Sequence, residues 1–285
     1  MSSLVIIGGG PAGLSAAIYA ARANIKTFVL YKDGGALQKT DKIENYFGFP
    51  EPVTGAYLLE QGRAQAARLG VTLVETEVTG IEYADEGFTV KTIDGSYPAK
   101  AIVLATGAPR AVPKIAGIAD FEGHGVSYCA VCDAFFYRGK SVAVLGQGEY
   151  AIEEARTLLP VAASVTLLTN GQQPPEGLPA NLLVDTRPVA AAAGDDKIGR
   201  IEFTEGDSLA IDGLFIAYGT AGSADFARKL GAMTEGSRIQ TDAAMATGVP
   251  GLFAAGDCTG GMLQIAKAVH DGAAAAMTAV KHMRT

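Results

Sequence analysis

Six residues near the start of the chain, Gly8-Gly9-Gly10-Pro11-Ala12-Gly13, restrict its fold more than any other feature. They follow a short apolar run, Leu4-Val5-Ile6-Ile7, and lead into an alanine-rich stretch from Pro11 to about Ala23. Strand, glycine turn and helix in that order open a dinucleotide-binding βαβ unit. In such a turn Gly8 permits the tight reversal, Gly10 lets backbone approach a pyrophosphate, and Gly13 allows the helix to pack closely on the sheet. Pro11 and Ala12 fall in the first helical turn, where free N–H groups and the positive dipole end attract phosphate.

The same grammar returns at Ser141-Val142-Ala143-Val144-Leu145, followed by Gly146-Gln147-Gly148-Glu149-Tyr150-Ala151 and a helix to about Leu159. Between the two, Ala101-Ile102-Val103-Leu104-Ala105 reads as a strand ending in Thr106-Gly107, and Pro109 and Pro113 mark a linker. Near the C-terminus, Gly251-Leu252-Phe253-Ala254-Ala255 forms another short strand, closed by Gly256-Asp257 and followed by a helix from about Gln264 to His282. That piece returns to the first domain. The expected fold is therefore α/β, with two Rossmann-like three-layer nucleotide-binding domains, the second inserted in the first. Residues 1–115 and 246–285 make the outer domain and residues 116–245 the insert.

Composition narrows the partners. A net charge of −7 opposes nonspecific binding to nucleic acid or anionic membranes. No apolar run is long enough to span a bilayer, and Met1-Ser2-Ser3 lacks the charged start of a signal peptide, so a cytoplasmic protein is expected. With 3 cysteines, a disulfide framework is not expected, but a close pair in a reducing compartment suggests redox catalysis.

That pair lies in Tyr128-Cys129-Ala130-Val131-Cys132-Asp133-Ala134-Phe135-Phe136. Two thiols at this spacing can close a small disulfide ring, and in a helical setting the first can have its pKa lowered and its nucleophilicity raised. A zinc half-site has the same spacing but needs two more ligands, for which only Cys258 and the scattered His124, His270 and His282 are available. No metal is expected. Asp133, adjoining the pair, can protonate a leaving thiolate and take the proton back if burial raises its pKa toward neutrality; a solvated surface aspartate is the alternative. Cys258 reads as a buried, inert thiol.

On these motifs the sequence resembles the low-molecular-weight thioredoxin reductases nearly end to end. The resemblance implies FAD as cofactor, a homodimer, and electron flow from flavin to the Cys129–Cys132 disulfide and on to thioredoxin. It implies that Cys132 faces the flavin, Cys129 attacks the partner disulfide, and Asp133 carries the proton. It places the flavin against Gly8, Gly10, Pro11, Ala12, Gly13, Asn45, Val78, Ala105, Thr106, Gly107, Gly256, Asp257, Gln264 and Ile265. One departure is Ala36, where the family carries glutamine, which removes one flavin contact.

A larger departure concerns the electron donor. NADPH-using members read the 2′-phosphate with a His-Arg-Arg run after the second strand of the insert. This chain has Thr169-Asn170-Gly171-Gln172 there, with no lysine or arginine between Arg156 and Arg187. Nor does that strand end in the acidic residue that grips the ribose of NADH. Tyr150 is expected to put a large ring in the glycine loop and obstruct a pyrophosphate. Residues 116–245 also carry 17 acidic against 9 basic residues, a poor field for a polyanionic cofactor. The segment from Glu176 to Asp207 looks trimmed. These features, with Gly219-Thr220-Ala221-Gly222 and Gly256-Asp257-Cys258-Thr259, resemble the ferredoxin-dependent flavin thioredoxin reductases. Ferredoxin is accordingly the expected donor. The alternatives are an NADPH-dependent enzyme with an atypical phosphate site, a flavin dithiol oxidase, a relative with a second flavin in the insert, and a non-enzymatic flavin redox sensor.

Overall fold

A computed structural model of the chain describes residues 3–107, 114–128, 130–218 and 222–285, the side chains of residues 131, 132 and 149 aside. The first strand, β1 (Ser3–Ile7), is buried along its whole length and feeds α1 (Pro11–Arg22) through the glycine turn. Then come β2 (Lys26–Tyr31), α2 (Gly55–Arg68) and β3 (Thr72–Glu75). A three-stranded antiparallel sheet of β4 (Val78–Ala84), β5 (Gly87–Thr92) and β6 (Gly95–Ala99) precedes β7 (Ala101–Leu104).

The second unit starts with β8 (Val126–Ser127) and the single turn α3 (Ala130–Asp133). Its nucleotide-fold core is β9 (Ser141–Gly146), α4 (Gly148–Leu158), β10 (Ser164–Leu168) and β11 (Leu183–Asp185). An antiparallel sheet of β12 (Val189–Gly194), β13 (Ile198–Phe203) and β14 (Ser208–Ala210) follows, and β15 (Gly213–Ala217) returns to the parallel sheet. The chain closes with α5 (Ser223–Lys229), β16 (Thr234–Glu235), β17 (Arg238–Ile239), β18 (Leu252–Ala254) and α6 (Ile265–Arg284).

Each unit is built on a five-stranded parallel sheet, ordered β18-β7-β1-β2-β3 in one and β11-β10-β9-β15-β8 in the other. Their strands are near-continuous apolar runs because both faces are covered. In the first unit the cover includes α1 and α6, which pack through small residues. Ala12, Ala16, Ala17 and Ala20 meet Ala268, Ala275, Ala276 and Ala279, all buried. A Cβ on Gly272 would overlap the Ala12 carbonyl oxygen, so only glycine lets the two helices come this close. This packing fixes the glycine turn before α1 against the turn that follows β18.

The two compact units are Met1–Pro109 with Gly222–Thr285, and Arg110–Ala221. The return to the first unit thus comes at residue 222, not at the 246 read from the sequence. The reason lies in long-range pairing. Tyr83 Oη donates to the Leu230 carbonyl at 2.6 Å, and the Arg238 side chain lies against Gly260. In the insert, β10 and β11 are parallel neighbours, and residues 169–182 between them form turns and bends rather than a helix.

Candidate functional site

The glycine turn of the first unit has the geometry of a phosphate cradle. Gly8 sits at φ +118°, and a Cβ there would overlap the Ala105 carbonyl oxygen; a Cβ on Gly13 would overlap Gly8. Gly10 differs, because nothing lies within 4 Å of where its Cβ would stand. It precedes α1 in extended backbone, Pro11 occupies the first turn, and no side chain caps the helix. The first-turn N–H groups therefore face open space beside the strand end, which suits an anionic pyrophosphate.

Residues far apart in sequence close around this turn. Thr106 and Ser223 bond reciprocally: the Thr106 N–H donates to Ser223 Oγ at 3.0 Å and the Ser223 N–H to Thr106 Oγ1 at 2.8 Å. Asn45 Nδ2 donates to Gln264 Oε1 at 3.0 Å, joining an exposed loop to the residue before α6. Gly256, at φ +84°, turns the chain beside Ala12. Ile265 begins α6, and Gly107 follows Thr106 at φ +78°. Val78 is buried at the start of β4, opposite Thr92. Ala36 is exposed.

Sequence reasoning missed the ionic support beneath Asp257. Lys267 Nζ reaches the Gly256 carbonyl at 3.0 Å, Thr259 Oγ1 at 2.8 Å and Asp271 Oδ2 at 2.7 Å. The buried Asp271 also accepts the Gly256 N–H at 3.1 Å. Burial holds the Asp257 carboxyl above its ordinary range, an effect that Lys267 opposes and Asp271 reinforces. The signal was available: Lys267 and Asp271 are four apart in an otherwise alanine-rich helix. Cys258 is buried against the Leu104 and Ala255 carbonyls, and burial pushes its thiol up to about 11. It is an inert structural thiol.

In the second unit, Cys129 and the Cys132 thiol lie outside the described residues. Around them, the Ala130 N–H donates to Glu154 Oε2 at 2.8 Å, and Asp133 Oδ2 accepts from Ser127 Oγ at 2.7 Å. Asp133 is half-buried rather than a solvated surface group. Phe135 and Phe136, just beyond, are exposed.

The second glycine turn repeats the close approach of the first but not its backbone: a Cβ on Gly146 would overlap the Ala217 carbonyl oxygen, while the positive φ, +77°, falls on Gly148, which has open space beside it. Tyr150 does not obstruct that turn as expected. It lies in the first turn of α4 and is 2% exposed, on the inward helix face with Glu154 and Leu158 at steps of four. At the end of β10, Thr169 is buried with its hydroxyl on the Gln172 carbonyl, and Asn170 Oδ1 accepts the Val189 N–H. Arg187 stands beside that strand end. Its guanidinium is engaged by Asp185 and Asp207 and lies 4.0 Å from the Phe203 ring centroid. The Gly219-Thr220-Ala221 stretch falls outside the described residues.

The family model for pyridine nucleotide-disulphide oxidoreductases matches residues 2–272. A thioredoxin reductase of Aquifex aeolicus is 42% identical over 273 residues, covering 89% of this chain and 84% of the relative. Among solved structures, an atypical thioredoxin reductase from Desulfovibrio vulgaris Hildenborough superposes with a TM-score of 0.93 at 43% identity, covering 100% of this chain and 98% of the other. A ferredoxin-flavin thioredoxin reductase from Clostridium acetobutylicum does so with a TM-score of 0.71 at 30% identity, covering 99% and 98%. The chain therefore belongs to the pyridine nucleotide-disulphide oxidoreductase family of flavoproteins and, within it, to the low-molecular-weight thioredoxin reductases.

Proposed function

We propose that this chain is a thioredoxin-disulfide reductase that binds FAD in its first unit and receives electrons from ferredoxin, or another low-potential one-electron carrier, rather than from NADPH. The observation that carries the donor assignment is the state of Arg187. It is the guanidinium beside the end of β10, and two carboxylates and an aromatic face already hold it. A 2′-phosphate there would have to displace both carboxylates, while Thr169 and Asn170 offer no charge. The kinship with a ferredoxin-flavin thioredoxin reductase agrees with this.

When bound, FAD supplies the means to collect electrons singly and release them in pairs. The chain's own groups do the rest. The open Gly10 and the uncapped α1 N-terminus receive the pyrophosphate, and Asn45, Gln264 and Asp257 hold the flavin end. The Cys129–Cys132 disulfide, once reduced, presents Cys129 as thiolate to the disulfide of thioredoxin, with Asp133 supplying the proton to the departing thiolate. Homodimerisation and a cytoplasmic location complete the proposal.

The test is anaerobic reduction of the oxidised flavoprotein by reduced ferredoxin and by NADPH side by side, followed by addition of thioredoxin. Ferredoxin is expected to bleach the flavin and NADPH to leave it oxidised. Fast bleaching by NADPH would overturn the donor assignment. A fully reduced flavin that left thioredoxin oxidised would overturn the reductase assignment and favour a dithiol oxidase or a redox sensor.

A further inference from the structure

The dithiol segment is held at both ends by buried groups that lie outside its motif. At its start, Glu154 of α4, only 1% exposed, takes the Ala130 N–H. At its end, Ser127 donates to Asp133 Oδ2 at 2.7 Å. Ser127 closes β8, pairs in register with Phe215 of β15, and is 6% exposed. The hydroxyl that meets Asp133 is thus mounted on the sheet rather than on the loop. Such mounting gives a catalytic group a fixed orientation.

We propose that Ser127 is the positioning residue for proton transfer by Asp133, fixing one carboxylate oxygen so that the other is free to exchange a proton with sulfur. The inference rests on the disulfide-reductase assignment above. In the reductive step, the Cys129 thiolate forms a bond to one partner sulfur, and the other partner sulfur leaves as thiolate and takes the proton of Asp133. Cys132 then attacks the mixed disulfide, its own proton passing through Asp133 to the second departing thiolate. Two electrons and two protons have moved, the enzyme holds its Cys129–Cys132 disulfide, and Asp133 is left ionised. An Asp133 free to rotate would spend less of its time facing the sulfur.

Other groups border this carboxylate. Tyr137 follows in the next turn; burial first, then Asp133 and Asp212, hold its hydroxyl above the ordinary value. Lys140 Nζ lies 5.6 Å from the Tyr137 ring centroid, and Glu154 stands at the opposite end of α3. Of the groups named here, only Ser127 is a neutral hydroxyl hydrogen-bonded to Asp133 Oδ2. Its removal should therefore move the pH profile without changing formal charge.

The experiment uses the full-length, flavin-loaded protein reduced with dithionite, mixed in single turnover with hydroxyethyl disulfide across a range of pH. Ser127→Ala is expected to slow the reaction roughly tenfold or more and to move the alkaline limb of its pH profile. Ser127→Thr is expected to restore both. If the Ala variant loses flavin or fold, the isosteric pair Ser127→Thr and Ser127→Val carries the same comparison. Superimposable profiles, or a slower rate with an unmoved limb and no rescue by Thr, would overturn the proposal. Thioredoxin is run in parallel: a wild type that reduced the small disulfide but not thioredoxin would sink the proposed partner while leaving the Ser127 result decisive.

Discussion

The two glycine turns of this molecule make the same close approach to a strand, yet their backbones differ, the positive φ falling on Gly8 (+118°) in the first and on Gly148 (+77°) in the second. In each, a glycine is pressed against a strand carbonyl, Ala105 for Gly8 and Ala217 for Gly146, and a second glycine, Gly10 or Gly148, faces open space. On the side of the first turn, Gly256 lies against Ala12 on a platform braced by Lys267, and Asn45 bonds Gln264 ahead of α6, neutral groups suited to hydroxyl and amide partners. Around the second, the nearby guanidinium is already occupied and the strand-end polar groups bond to their own loop. A dinucleotide fold makes a pyrophosphate cradle possible, but specific affinity comes from side chains at the strand ends.

The largest expected effect separates the turns directly. Gly8→Ala should cost roughly 100-fold or more in FAD affinity, seen as loss of bound flavin on purification, because the new Cβ has no room at φ +118°. Gly148→Ala has open space beside it but sits at φ +77°, so it should cost roughly 1–2 kcal/mol of stability while leaving flavin content within about twofold. Flavin loss in the second variant would break the comparison.

Next comes the platform. Lys267→Met leaves Asp271 buried without its cation and should cost roughly 3 kcal/mol in urea unfolding. It should also weaken flavin binding, since Gly256 and Thr259 lose their shared donor.

The thiols give a finer contrast. In native reduced protein near pH 8, iodoacetamide should modify the Cys129–Cys132 pair and spare Cys258, whose thiol, raised to about 11, is ionised at only about one part in a thousand. Denaturation should expose the third thiol. Mass spectrometry that found Cys258 alkylated in the native state would contradict its inert role.

The smallest effect tests whether Arg187 is held as described. Its hydrogen bond lowers the Asp185 carboxyl below its ordinary value of 3.8. A lowered carboxylate stabilises the fold above that value and ceases to do so as pH falls through the folded one. Arg187→Ala should thus lower Tm slightly near neutral pH, by about 2 °C at most, and the difference should shrink as pH falls below 3.8. A Tm difference that persisted in acid would show that packing on Phe203 outweighs the ion pair.

Much of the fold was legible because its signals are local. The runs at Leu4–Ile7 and Ser141–Leu145, each ending in glycines and followed by a helical pattern, specify strand, turn and helix without reference to the rest of the chain. Tyr150 was misread because a residue near a glycine turn can face the loop or the interior, and only the phase of α4 decides. The domain boundary was misplaced because the tie between Tyr83 and Leu230 spans 147 residues and leaves no local mark.

By itself, then, the sequence determined the two nucleotide folds, the spacing of the cysteine pair and the lack of basic residues between Arg156 and Arg187. Each follows from residue type and spacing alone. Tertiary structure decided which groups support them: Ser223 on Thr106, Lys267 under Asp257, Asp185 and Asp207 on Arg187, and Ser127 on Asp133. Directional contacts act over a few ångströms, and only the closed fold brings residues so distant along the chain within that range.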